Sequence, residues 1–336
     1  MTEQRAPLVG LQNITKRFVK SLDLTTKVVN WLGGQYREEV VHAVDDVSFT
    51  IGEGEVVGLV GESGCGKSTI GRMVAGILEP TKGSIQYRGE DLLSLPKAKR
   101  RSVSLKSQMI FQDPFASLNP RMRVKDIIGE APVAHKIVSS AELDDYLDEI
   151  MSLCGLEPGF KRRYAHQFSG GQRQRIGIAR ALAVKPDFLI CDEAVAALDV
   201  SIQAQILNLF MKLREELGLT YLLISHDLGV VEHLSDRVII MYLGRLVEVA
   251  SAEGLFRDPN HPYTKALLEE VPRIESRRRT FAPVKGEIPS PIDPPSGCYF
   301  HPRCPHATER CKAESPVLKE IAPGRLSACH LNDAPG

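Results

Sequence analysis

An apolar run, Val56-Val57-Gly58-Leu59-Val60, empties into Gly61-Glu62-Ser63-Gly64-Cys65-Gly66-Lys67-Ser68-Thr69. Beyond it Ile70, Met73, Val74, Ile77 and Leu78 recur at helical spacing until Pro80. Few arrangements constrain a chain more. A strand apolar on both faces belongs inside a sheet covered by helices, so the fold class is α/β with a parallel sheet. The pattern G-x-x-x-x-G-K-[ST] at a strand-to-helix turn suits phosphate: the glycines let backbone N–H groups curl inward, and the helix N-terminus adds positive potential. Lys67 would reach the terminal phosphates, Ser68 would ligate Mg²⁺, and Thr69 would add a contact to the α-phosphate. An ordinary glycine turn is the bland alternative, and the strand and helix on either side argue against it.

A second apolar strand, Phe188-Leu189-Ile190-Cys191, ends in Asp192-Glu193, and a third, Tyr221-Leu222-Leu223-Ile224-Ser225, ends in His226-Asp227. Between them SIQAQILNLFMKLREEL reads as a helix, giving strand-helix-strand in one parallel sheet. Strands ending in polar residues deliver them to the carboxyl edge of such a sheet, where ligands bind. Asp192 is the candidate Mg²⁺ ligand. Glu193 is the candidate to orient or deprotonate a water attacking a γ-phosphate. From about 110 to 180 the pattern turns helical, and RVIIMYLGRLVEVA reads as a strand pair turning at Leu243-Gly244. From about 256 regular periodicity fades and proline becomes frequent.

Composition excludes several classes. Lys+Arg and Asp+Glu balance at 42 each, so no global basic field favours nucleic acid. No stretch approaches the roughly 20 apolar residues that span a bilayer, and MTEQRAPLVG has no apolar signal core. Of seven cysteines, Cys65, Cys154 and Cys191 are scattered through enzyme-like segments, which argues against a disulfide framework. The basic run at 276–279 reads as a solvated linker.

Ser169-Gly170-Gly171-Gln172, followed by RQRIGIARAL, is a second helix N-terminus with a serine cap and glycines that admit close backbone approach. With the acid-ended strand that follows it, the segment resembles the signature of ABC ATPases. That resemblance implies a RecA-like P-loop core with an antiparallel β subdomain and a helical subdomain. It also implies a head-to-tail dimer in which Ser169, Gly171 and Gln172 reach the nucleotide on the other subunit's P-loop. Three more residues match on the same basis. Gln112, in MIFQDP, would sense Mg²⁺ and the γ-phosphate and link to membrane subunits; Asp199 would communicate between the two sites; His226 would be the switch histidine. Phe18, in ITKRF, is the adenine-stacking candidate and Tyr36 the alternative. The chain departs from the family pattern at Ala194, where Pro is usual, and at Ala196, where Ser is usual. Neither change removes a charged group, and hydrolysis is expected to survive.

The tail narrows the cargo. HPYTKALLEEVP at 261–272, KGEIPSP, GCYFHPRCPHATERC and ACH resemble the C-terminal region of ATPases of the oligopeptide, dipeptide and nickel importer family. The early insert and SLNPRMRV look most like the second ATPase of a dipeptide or oligopeptide permease. The resemblance implies an ATPase domain at 1–255 and a small C-terminal domain at 256–336. It implies a second, different ATPase chain, two transmembrane permeases, an extracytoplasmic solute-binding protein, and a place on the cytoplasmic face of the membrane. The cargo is expected to be di- or oligopeptides, with nickel, glutathione or an opine as alternatives. A soluble ABC protein acting on nucleic acid is a weaker rival, because such chains usually carry two cassettes or a long coiled coil. A P-loop small-molecule kinase would leave the SGGQ segment unexplained. Cys298, Cys304, Cys311 and Cys329 form C-x5-C-x6-C-x17-C with His301, His306 and His330 nearby. Four thiolates can hold zinc or iron–sulfur. The family resemblance suggests a [4Fe-4S] cluster, the alternatives being zinc and metal-free thiols.

Overall fold

Two sheets organise the residues described by the computed structural model, which are 6–20, 31, 38–113, 117–196, 198–269 and 286–333. Strand β1 (Pro7–Lys20) pairs antiparallel with β2 (Glu39–Gly52). After β3 (Val56–Val60) and helix α1 (Lys67–Val74), β4 (Lys82–Tyr87) and β5 (Glu90–Asp91) complete a small sheet of order β2-β1-β4-β5. Helix α2 (Lys97–Lys106) and β6 (Ser107–Ile110) follow, and then a helical layer of α3 (Val124–Ala134), α4 (Leu143–Leu153) and α5 (Gly170–Leu182). Strands β7 (Phe188–Asp192) and β8 (Thr220–Ser225) flank α6 (Val200–Leu217), and α7 (Leu228–Leu234) leads to β9 (Arg237–Tyr242) and β10 (Arg245–Ser251).

Every residue of β3, β7 and β8 is buried, and β9, β3, β8, β7 and β6 pair in parallel as their unbroken apolar character requires. Helix α1 lies close on this sheet because Gly71 has no side chain; a Cβ there would sit 2.7 Å from Ile224 Cδ1. The α/β class, the parallel core, the antiparallel subdomain and the helical stretch all agree with the sequence reading.

Three local outcomes bear on the sequence reading. Helix α1 stops at Val74, short of the apolar pattern that runs to Leu78, because Gly76 takes φ +71° and the Ile77 and Leu78 N–H groups donate back to Arg72 O. The β9–β10 turn falls at Leu243-Gly244 as expected. Both residues there have positive φ, 42° and 83°, the signature of a tight hairpin turn. The largest difference lies in the tail. After α8 (Ala252–Arg257), α9 (Pro262–Glu269) and α10 (Glu309–Ala313), strands β11 (Lys319–Ala322) and β12 (Arg325–Ser327) join the main sheet, whose order is β11-β12-β10-β9-β3-β8-β7-β6. These strands are four and three residues long, too short for periodicity to reveal. Tyr36, most of the early insert and the 276–279 run lie outside the described residues. None of the described helices is long and apolar enough to cross a membrane.

Candidate active site

The loop between β3 and α1 is shaped by what surrounds it. A Cβ on Gly61 would fall 2.1 Å from Met241 O, and one on Gly66, at φ +105°, would fall 2.1 Å from Ala43 O, so β9 and β2 press on the loop from both sides. Lys67 is 4% exposed and its Nζ donates to Gly61 O at 2.7 Å and Glu62 O at 2.9 Å, pulling the first turn of the loop over the helix end. Cys65 lies beside it; burial pushes the thiol up against the opposing pull of the Lys67 ammonium. Ser63 and Gly64 form the exposed lip, and Thr69 is half-buried in the first turn of α1.

Ser68 Oγ donates to Asp192 Oδ1 at 2.8 Å, which ties the phosphate loop to the end of β7. Asp192 is 6% exposed, and burial raises its carboxyl above the usual range, with the neighbouring Glu193 charge pushing the same way. A buried carboxylate beside a second one is a natural seat for a divalent cation. Glu193 then turns out of the strand at φ +49°, a conformation rare for a residue with a side chain. Its N–H is anchored on Ile224 O at 2.9 Å. The turn aims its carboxylate between two partners: Gln112 Nε2 donates to Oε2 at 2.6 Å, and His226 Nδ1 lies 3.2 Å from Oε1. Gln112, Glu193 and His226, drawn from the ends of β6, β7 and β8, thus form one array beside Ser68 and Asp192.

The signature residues stand apart from this array. Ser169 Oγ accepts from Gln172 N, and Gln172 Oε1 accepts from Ser169 N, a reciprocal cap on α5. Gly171 serves packing as well: a Cβ there would meet Ile202 Cγ2 of α6 at 2.4 Å. Asp199 is exposed at the N-cap of α6, next to Val200, which is 84% exposed. Phe18, 43% exposed and beneath Lys16 Nζ, pairs in register with Val41, two residues from the Ala43 carbonyl that abuts Gly66.

Cys298, Cys304, Cys311 and Cys329 line one recess with His261, His301, His306 and His330. Burial pushes Cys298 up to about 11, and the other three thiols add to the shift. Among the described residues no three or more His, Cys, Asp or Glu side chains form a group able to hold a metal ion. The sequence reading missed the residues that join this tail to the phosphate loop. Tyr263 Oη accepts from Glu62 N, and Arg303 pairs with the Glu62 carboxylate. Arg303 lies inside the cysteine-rich run, but nothing in its spacing pointed to a partner at the other end of the chain.

The pattern of the ABC transporter family matches residues 44–196, and that of the oligopeptide/dipeptide transporter C-terminal region matches residues 247–311. The oligopeptide transport ATP-binding protein AppF of Bacillus subtilis is 52% identical over 295 residues, 87% of this chain and 90% of that protein. The chain belongs to the ABC transporter ATPases. Two solved structures agree on the architecture. The ATP-binding cassette MJ0796, solved as a dimer with ADP and Pi, aligns over 73% of this ABC ATPase and 98% of its own chain, with 28% identity and a TM-score of 0.61. The cbiO1 protein of Clostridium perfringens, part of the ABC transporter complex cbiONQ, shares the fold over 76% of this chain and 92% of its own, with 24% identity and a TM-score of 0.62. Like its relatives, this ABC ATPase binds and hydrolyses ATP. Dimers of such ATPases with transmembrane permeases are general for the family.

Proposed function

We propose that this ABC ATPase powers the import of di- or oligopeptides, as one of two different ATPase chains on the cytoplasmic face of a permease pair fed by an extracytoplasmic solute-binding protein. The observation that carries the cargo class is the 52% identity to an oligopeptide transport ATP-binding protein, together with the matching tail.

The geometry supports a division of labour at the carboxyl edge of the main sheet. The phosphate loop, residues 61–69, cradles the triphosphate, and Phe18 stacks on the base. Ser68 and Asp192 would hold Mg²⁺, with Gln112 beside it, and the bound ion would neutralise charge on the phosphates. Glu193 orients the attacking water and takes its proton, because Gln112 and His226 fix its carboxylate at 2.6 and 3.2 Å. The exposed signature helix end, Ser169 to Gln172, and Asp199 face a partner subunit, where the helix N-terminus grips the γ-phosphate of the other site. Residues 1–255 act as the ATPase domain with its helical subdomain at about 110–180, and residues 256–336 as the C-terminal domain.

The cysteine recess is read as the seat of a [4Fe-4S] cluster, with zinc and metal-free thiols as the alternatives. Four thiols line it, the donor set that a [4Fe-4S] cluster takes, and the resemblance of the tail is what favours the cluster over zinc. The test of the whole reading is uptake of labelled dipeptides, oligopeptides, glutathione and nickel in cells whose only copy carries Lys67→Ala at normal abundance. Loss of peptide uptake alone is expected. Intact peptide uptake with loss of another solute would move the protein to a sister system.

A further inference from the structure

The first variable residue of the phosphate loop, Glu62, is held from outside by the tail. Arg303 Nη1 donates to Glu62 Oε2 at 2.7 Å and Nη2 to Oε1 at 2.9 Å, a two-pronged ion pair in which the arginine side chain is 4% exposed and the carboxylate 17%. Tyr263, which is fully buried, accepts the Glu62 N–H at 2.9 Å. The Glu62 carbonyl accepts from Lys67 Nζ at 2.9 Å and from Cys65 N at 3.3 Å. Every polar group of Glu62 is therefore engaged, two of them by residues 200 or more positions away.

Two physical consequences follow. A charge-assisted bidentate bond fixes geometry as well as adding energy, so the turn that opens the loop is set before nucleotide arrives. Secondly, Glu62 places a carboxylate on the loop that must accept a polyanion. Left unpaired there, it would repel phosphate at short range in a half-buried setting where screening is weak. Arg303 cancels that charge. The brace is itself firmly seated. Tyr242, Tyr263 and Phe300 pack mutually with ring centroids 4.6 to 5.4 Å apart, and Tyr242 Oη accepts a further Arg303 contact at 3.5 Å.

We propose that Arg303 and Tyr263 are positioning residues for ATP, through which the C-terminal segment shapes the phosphate loop and neutralises Glu62. Neither touches the nucleotide; both act through Glu62. Arg303 also closes the turn His301–Arg303, and the next residue, Cys304, lines the thiol recess, so the residue that braces the phosphate loop is the chain neighbour of one that lines the recess.

The test measures binding of ATP and of a fluorescent ATP analogue to the purified full chain, with KM and kcat for hydrolysis. Arg303→Met is expected to weaken binding roughly tenfold and to raise KM with kcat little changed, the size associated with one charged hydrogen bond. The double variant Glu62→Gln with Arg303→Met should regain most of the affinity, because the stranded carboxylate is gone. A purely structural contact would show no such rescue. Unchanged affinity in folded Arg303→Met, or a double variant as weak as the single, would overturn the proposal. Should Arg303→Met fail to fold, Tyr263→Phe decides the matter, since it removes only the hydroxyl. About a threefold loss of affinity is then expected, and none would overturn it.

Discussion

The nucleotide site and the cysteine recess differ in what holds them. At the nucleotide site the key polar groups already have protein partners: Lys67 on the Gly61 and Glu62 carbonyls, Ser68 on Asp192, Gln112 and His226 on Glu193. Glu193 and His226 follow parallel strands buried along their whole length and Gln112 follows their neighbour β6, so the sheet fixes the spacing of these three. The recess instead hangs on a three-residue turn at His301–Arg303 and a five-residue helix, where burial pushes the Cys298, Cys304 and Cys329 thiols up. Strand ends can preorganise chemistry for a ligand that comes and goes. A recess built on a short turn and a short helix has no such frame.

The sharpest way to break this contrast is at Glu193. Glu193→Gln keeps the shape and a partner for Gln112 but removes the base; phosphate release should fall about a thousandfold while ATP binding persists. Lys67→Ala should instead weaken binding itself, roughly a hundredfold. If Glu193→Gln retained hydrolysis, the array would be structural and the contrast would lose its first half. The second half is tested by metal analysis of anaerobically purified protein. The chain is expected to carry about four irons, and Cys304→Ser with Cys311→Ser to carry almost none. Finding zinc, or no metal at all, would remove the cluster reading.

A smaller effect concerns pH. His261 is 1% exposed, and burial lowers its imidazole to about 4 against an opposing bond from the Ala328 backbone; its Nδ1 accepts from Tyr263 N–H at 3.1 Å. Above pH 6.5 neither the folded nor the unfolded chain protonates this group, and nothing is lost. As pH falls from 6.5 towards 4 the unfolded chain takes the proton first, so the fold loses up to about 3 kcal/mol at this one residue. Urea unfolding of the wild type and of His261→Leu should diverge in slope across that window. Parallel pH profiles would mean that His261 is not neutral and buried in solution.

Most of the nucleotide site was legible because its chemistry sits in short, ordered motifs. Gly61 to Thr69, Asp192-Glu193 and His226 each mark the end of an apolar strand, and parallel pairing of those strands brings them to one edge. The signature helix was equally plain from its serine cap and glycines. What stayed hidden was long-range and specific. The Glu62–Arg303 pair spans 241 positions, and an isolated arginine among cysteines carries no mark of its partner. Gly76 was hidden for another reason. It ends α1 through a left-handed turn, while the apolar spacing continues past it into residues that are no longer helical. Glycine 171 shows the converse: it was read as a phosphate contact, and its close approach to Ile202 gives it a packing role that sequence alone does not separate from binding.

The last two strands give the tail a further meaning. Strand β12 covers β10 at Glu248 and Val249, and the Glu248 carboxylate, wholly buried, is satisfied by the Asn260 and His261 N–H groups and by Arg325. A chain cut after Ser251 would leave β10 with a bare row of backbone donors and acceptors and a stranded negative charge, the conditions under which strands recruit other strands. Removing the tail should therefore yield a sticky, self-associating fragment in place of a minimal motor, and the same seam limits where another domain could be fused onto this protein.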